Sequence, residues 1–215
     1  IMRSLSSIAT PATTQFIVQS ASWIFLAAIV ARSGSDASAG YQTAIRLITF
    51  FILPAWGISN AAATLVGQNL GAGQPERAEL SVKVISKYNA FLMAIVMVFF
   101  LTLAQPLIGF FIPISSHIQF DYAVMALRII STGYILYGIS MVLMQAFNGA
   151  GDTKTPTWIS FVGFWLLQIP MAYIMSVYFA MGPLGVFIAI PVAETIITFI
   201  YMYYFRKGNW KLVKV

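Results

Sequence analysis

One carboxylate stands in the middle of an otherwise apolar run. Glu194 falls near the centre of the stretch from Leu184 to Phe205, and an unpaired acid at that depth of a bilayer costs at least a few kcal/mol, so it must be protonated, paired or hydrated. Pro191, three residues earlier, leaves the Phe187 carbonyl without its helical donor, and Thr195 and Thr198 add hydroxyls nearby. Acid, carbonyl and hydroxyl oxygens together suit the capture of H+ or Na+. The plainer alternative is a neutral acid that hydrogen-bonds a neighbouring helix or pairs with an intramembrane Arg.

Other polar residues recur at helical spacing. Gln15, Gln19 and Ser22 share one face of the first apolar run, with Trp23 beside them. Asn60, Thr64 and Gln68 do the same on the second run, and Tyr134, Tyr137, Met141 and Gln145 mix aromatic, thioether and amide groups on the fourth. Aromatic faces attract cations and Met adapts to varied shapes, so Gln15, Gln19, Asn60, Tyr134, Tyr137 and Gln145 are candidates to line a cavity for amphipathic cations. Taken one stripe at a time, interhelical hydrogen bonding accounts for them equally well.

The remaining charged groups read as structural. Arg46 and Arg128 lie near the outer ends of their runs, where snorkelling to the interface or a bond to Asp36 or Asp121 would satisfy them. Glu79, Lys83 and Lys87, spaced by four, read as a solvated helix face, with contact to anionic lipid the lesser reading. A lone His117 in a polar stretch carries no function. With no Cys and one His, no disulfide framework, thiol nucleophile or His-rich zinc site is expected. No metal centre and no organic cofactor are expected either, and paired central carboxylates for catalysis are lacking, so the chain reads as a non-enzyme.

These groups need an apolar scaffold to hold them. The 215 residues are 60% hydrophobic and only 8% charged, against about a quarter charged in soluble domains. At roughly 20 residues per crossing, the chain has room for about six transmembrane helices, and the expected fold is an all-α polytopic membrane protein. The net charge of +6 then serves topology rather than nucleic acid.

Turn signals place the spans near 4–31, 37–71, 76–103, 122–147, 156–181 and 184–205, forming a single lobe over residues 1–215 with a basic tail at 206–215. Pro11 should bend the first span. Pro54 with Gly57 marks an expected kink or hinge in the second, which is too long for the hydrocarbon alone. Pro75 suits the first position of the third helix, and Pro106 and Pro113 should end it. Thr155-Pro156 reads as an N-cap and first helical residue of the fifth. The opening Ile1-Met2-Arg3 lacks the regions of a signal peptide, which suggests a piece of a longer chain.

Alternating crossings put Arg3, Arg77, Lys83, Lys87, Lys154, Arg206, Lys207, Lys211 and Lys214 on one side, and only Arg32, Arg46 and Arg128 on the other. The cation-rich side is expected to be cytoplasmic, with both chain ends there, in a bacterial inner membrane. Trp210 would anchor at that interface.

Two segments carry a family resemblance. Asn60-Ala-Ala-Ala-Thr-Leu-Val-Gly67-Gln68-Asn69-Leu-Gly71-Ala-Gly73-Gln74-Pro75-Glu76-Arg77-Ala78, at the exit of the second span, resembles the signature of multidrug and toxic compound extrusion (MATE) transporters. Gln145-Ala-Phe-Asn148-Gly149-Ala-Gly151-Asp152-Thr153-Lys154-Thr155-Pro156, after the fourth, resembles that family's second such segment. The likeness covers the whole chain, but as the carboxyl-terminal six-helix lobe.

It implies a partner amino-terminal lobe across a central cavity, and cation-driven antiport in which Na+ or H+ entry expels bulky amphipathic compounds by alternating access. Gly67 and Gly71, at GxxxG spacing, then read as a helix-packing seam or a sliding hinge, as does Pro191. One branch of the family carries acids in the first and fourth helices of this lobe, and this sequence has none there. In another branch the coupling acid lies in the other lobe, which would make Glu194 secondary. Alternatives to efflux are a lipid-linked substrate flippase, which would want a basic cavity, and a non-transporting six-helix scaffold or pore.

Overall fold

The computed structural model describes residues 2–113 and 117–212, with side chains for Thr10 and, within those ranges, from Thr13 onward. The expectations on the side chains of Arg3 and Pro11 and on Lys214 lie outside the described residues. In chain order the helices are α1 (Met2–Ala31), α2 (Ser35–Gly71), α3 (Pro75–Gly109), α4 (His117–Ser131), α5 (Tyr134–Gly149), α6 (Lys154–Phe161), α7 (Ile169–Tyr173) and α8 (Pro183–Lys207). Among the described residues there is no strand. Five helical segments are long and apolar enough to cross a membrane, and six if α4 and α5 count as one bent span.

The breaks follow local chemistry, and several fall where the turn signals did not put them. α2 runs through Pro54 and Gly57 as one 37-residue helix, about 55 Å long at 1.5 Å per residue. α3 does not stop before Pro106. It continues to Gly109, with only Leu103 leaving helical geometry (φ −108, ψ 16), because the proline ring displaces the preceding turn while the apolar surroundings keep the rest helical. The fourth crossing is two helices, bent by 58° at Thr132-Gly133. Gly133 is needed there: a β-carbon would stand 2.9 Å from the Pro191 Cβ.

In the fifth crossing a π-helical segment, Val162–Gln168, joins α6 to α7, and a second, Ile174–Tyr178, follows α7. Pro170, near the start of α7, cannot donate into the preceding turn, consistent with the wider winding before it. The start of α6 is also two residues earlier than the sequence suggested. The helix starts at Lys154 after Thr153, whose side chain makes no capping bond; instead Asp152 Oδ1, one residue further out, accepts a 3.2 Å hydrogen bond from the Thr155 backbone N–H.

The interior divides into two apolar clusters. One gathers Tyr41, Phe100, Leu127, Tyr134 and Phe187. The other, toward the cation-rich end, gathers Val66, Phe147, Tyr201, Phe205 and Trp210. On α2, α3, α5 and α8 the changeover falls at a buried polar residue. Ser59 lies between Ala55 and Ala62, Asn89 between Ile85 and Met93, Ser140 between Tyr134 and Val142, and Glu194 between Ile190 and Ile197. A thin polar layer therefore crosses the middle of the bundle.

Trp210 is no interfacial anchor. It is fully buried, stacked on Phe205 at 4.9 Å, and its Nε1 donates to the Phe205 carbonyl at 3.0 Å. The tail folds back because Gly208 takes a left-handed conformation (φ 75), which turns the 3-10 turn Asn209–Leu212 onto the end of α8.

Candidate functional site

Glu194 sits at the centre of α8 and is 8% exposed. What exposure it has opens into two small recesses that share Glu194, Trp23 and Tyr137. The first is walled by Ile48, Ile52, Ile130, Tyr134 and Pro191, and the centre of a water molecule can range over about 30 Å³ of it. The second, walled by Gln19, Trp56, Ser140, Met144, Ser160 and Tyr201, offers about 70 Å³ by the same measure. Since about 10–15 Å³ suffices for one water, both can hydrate a carboxyl. Among the described residues, neither oxygen of Glu194 has a hydrogen-bond or ion-pair partner, so that hydration is what the acid needs.

The neighbouring hydroxyls do not serve it. Thr195 Oγ1 donates to the Pro191 carbonyl at 2.7 Å, and Thr198 Oγ1 donates to the carbonyls of Glu194 (2.7 Å) and Leu136 (3.2 Å). The expected cluster of acid and threonine hydroxyls is thus replaced by backbone bonding, the usual habit of Ser and Thr inside helices. The hydroxyl-bearing residues that line the recesses with the acid are Tyr134, Tyr137, Ser140, Ser160 and Tyr201. Ser160 Oγ and the Tyr201 hydroxyl are 3.3 Å apart, and Gln19 Nε2 approaches Ser160 Oγ at 3.5 Å and Met144 Sδ at 3.4 Å. Among the described residues, no three His, Cys, Asp or Glu side chains come together to hold a metal.

The polar residues singled out from sequence divide into separate groups. Gln19, Tyr134 and Tyr137 converge with Glu194 on the recesses. Gln15 is buried away from them, and its Nε2 has no partner among the described residues. Asn60 and Gln145 form a pair of their own: Gln145 Nε2 donates to Asn60 Oδ1 at 2.6 Å, and Asn148 Nδ2 donates to Gln145 Oε1 at 3.1 Å. Trp56, one residue before the proposed hinge at Gly57, lines the larger recess and carries no polar-stripe signal. Asn89 also escaped notice, although it is fully buried and its Nδ2 donates to the Gly138 carbonyl at 2.9 Å, tying α3 to α5.

The GxxxG pair is used only in half. A β-carbon on Gly67 would come 3.2 Å from the Gly149 carbonyl oxygen, whereas Gly71 faces open space. The tight contact is between Gly149 and the main chain of Ala63, so the two signature segments pack on each other. Arg46 and Arg128 form no ion pair with Asp36 or Asp121, and Arg128 Nε is buried without a partner among the described residues. Glu79 is not simply solvated: it bonds Lys83 at 2.6 Å and also Lys211 of the folded-back tail.

An all-helical bundle with apolar faces on both sides of a polar mid-layer is a polytopic integral membrane protein. Residues 11–174 match the family model described as MatE, and the chain belongs to that family. It is 27% identical over 202 residues to the Probable multidrug resistance protein NorM of Thermotoga maritima, covering 94% of this chain and 43% of that protein. It is 23% identical over 201 residues to the Probable multidrug resistance protein YoeA of Bacillus subtilis, covering 93% and 43%. Among solved structures, the MATE transporter ClbM in complex with Rb+ shares the fold with a TM-score of 0.90 at 18% identity, covering 98% of this chain and 49% of that one. A MATE in complex with MaL6 likewise gives 0.90 at 19%, covering 99% and 48%. The chain therefore spans less than half the length of the relatives it matches.

Proposed function

We propose that this chain is the carboxyl-terminal lobe of a multidrug efflux antiporter driven by H+ or Na+, facing an amino-terminal lobe across a shared cavity. The observation that carries the reading is the unpartnered Glu194 at the centre of α8, open to two water-sized recesses lined by Gln19, Trp23, Tyr134 and Tyr137. Such an acid exchanges a proton or a small cation with water without breaking a structural bond, the property a coupling site requires. No cofactor takes part beyond the coupling ion.

The size of the recesses supports a second wall. About 70 Å³ is well below the roughly 300–1,000 Å³ that encloses a drug-sized ligand, so a bulky substrate needs surface from elsewhere. Asn60 and Gln145 on α2 and α5 are exposed or half-buried and reach the partner lobe in this reading. The cation-rich end, with both chain termini, lies in the cytoplasm of a bacterial inner membrane.

The test is dye efflux from vesicles under imposed H+ or Na+ gradients, comparing this lobe, the reunited lobes and Glu194→Gln. Efflux is expected only from the reunited lobes and should fall sharply in the variant. Robust gradient-driven efflux by this lobe alone would contradict the two-wall reading.

A further inference from the structure

We infer that the groove between α3, α5 and α8 at the cation-rich end binds an anionic phospholipid of that leaflet. Its floor is apolar, formed by Leu143, Met202 and Phe205, while Lys83, Lys87 and Arg206 stand on its rim. The groove admits the centre of a water molecule over about 580 Å³, within the range of small-molecule sites.

Charge complementarity identifies the headgroup. Three cations meet one carboxylate, Glu79, and that carboxylate is already engaged by Lys83 and Lys211. Lys87 and Arg206 have no ion pair among the described residues, and both are exposed. They come from different helices and face one groove, so a single phosphate can be held by a Lys point charge and an Arg fork together.

Depth and shape identify the rest of the ligand. α3 has 35 residues, about 52 Å of helix against a hydrocarbon core of about 30 Å, so its first turns reach the headgroup region. From the groove, Val84, Phe91, Ile95 and Val98 continue down α3 at spacings of seven, four and three, each more than 40% exposed. This stripe gives acyl chains a surface to lie on, which a free phosphate would leave unused. The groove is distinct from the Glu194 recesses, with which it shares no lining residue.

The inference concerns a lipid-facing surface and does not rest on the efflux reading. Native mass spectrometry of the full chain in neutral detergent, mixed with phosphatidylglycerol and phosphatidylcholine of matched acyl chains, tests it. At about fivefold for each of the two unpaired cations, Lys87 and Arg206, phosphatidylglycerol should be favoured about twenty-five-fold. Lys87→Gln/Arg206→Gln should bring the ratio near parity. Lys154→Gln, at the same end but outside the groove, should leave it intact. Equal binding of the two lipids in the native chain would overturn the assignment, as would a preference that survives the double substitution or is lost equally on Lys154→Gln. Displacement of the lipid by excess inorganic phosphate would show an anion site without lipid recognition, and would overturn it too.

Discussion

Gly149, in the second signature segment, packs directly on the main chain of Ala63, in the first: a β-carbon at 149 would fall 2.5 Å from the Ala63 Cα and 2.7 Å from its carbonyl carbon. Backbone on one side leaves nothing flexible to yield. Gly149→Ala is therefore expected to lower stability by about 1–3 kcal/mol, the range for overpacking a tight contact. Gly71→Ala, facing open space, should stay within about 0.5 kcal/mol of the native chain. Unfolding of both variants in mixed micelles with increasing SDS measures the difference, and equal losses would mean that the α2–α5 contact is looser than described.

Beside that contact, Gln145 and Asn60 supply a polar bond between the same two helices, at 2.6 Å. Interhelical hydrogen bonds in membranes average about 0.6 kcal/mol in double-mutant cycles. Asn60→Ala, Gln145→Ala and the pair should give a coupling energy of about that size. A coupling of zero would free both side chains for a cavity role alone.

The all-helical membrane fold was legible because apolar runs of bilayer length and their turn residues are encoded locally. Pro75 opens α3, and Gly182-Pro183 marks the reversal into α8. Glu194 stood out for the same reason, as one acid in an apolar run. What was not legible depends on partners distant in sequence. The 58° bend falls at Ser131-Thr132-Gly133, a small polar break inside a run of bilayer length, and its close packing depends on Pro191, nearly sixty positions on, which occupies the space beside Gly133. Pro106 looked like a terminator because local rules ignore the packing that keeps α3 helical beyond it. The threonines beside Glu194 looked like ligands because spacing does not reveal that their hydroxyls turn back to the helix. Trp210 looked interfacial because position near a span's end does not reveal that the chain folds back over Phe205.

That fold-back predicts its own signature. Trp210 is fully buried and contacts Phe205 by both stacking and a hydrogen bond. Trp210→Ala should cost about 3–5 kcal/mol of local or global stability, as for other buried aromatic truncations. Because Lys211 is held by Glu79, loosening the tail should also expose it, and trypsin should cut at Lys207 and Lys211 faster than in the native chain. Glu79→Gln alone should have a much smaller effect, about 1 kcal/mol or less, since the pairs are partly exposed and screened. Cleavage rates that rank these two variants the other way would make the ion pairs, rather than the ring, the clasp.

Topology can be read without background because the chain has no cysteine. Single substitutions Gln74→Cys and Lys154→Cys, at the two turns that follow the signature segments, should react with a membrane-impermeant maleimide from the same side. Ser33→Cys, at the turn between α1 and α2, should react only from the other. Labelling of the Gln74 and Lys154 positions from opposite sides would mean that the bent pair α4 and α5 does not cross the membrane as one span.

The hydroxyls next to Glu194 offer the sharpest discrimination at the proposed coupling site. If the acid acts through water in the recesses, Thr195→Val and Thr198→Val should leave gradient-driven efflux by the reunited lobes little changed, because each hydroxyl is spent on a backbone carbonyl. Tyr137→Phe and Ser160→Ala, which remove hydroxyls from residues that line the recesses, should weaken it, and Glu194→Gln should weaken it most. Measuring the same variants under H+ and Na+ gradients separates the two ions. Loss in the threonine variants with retention in Tyr137→Phe would place the ion on the helix side of Glu194, and would require the threonines to leave their backbone partners during transport.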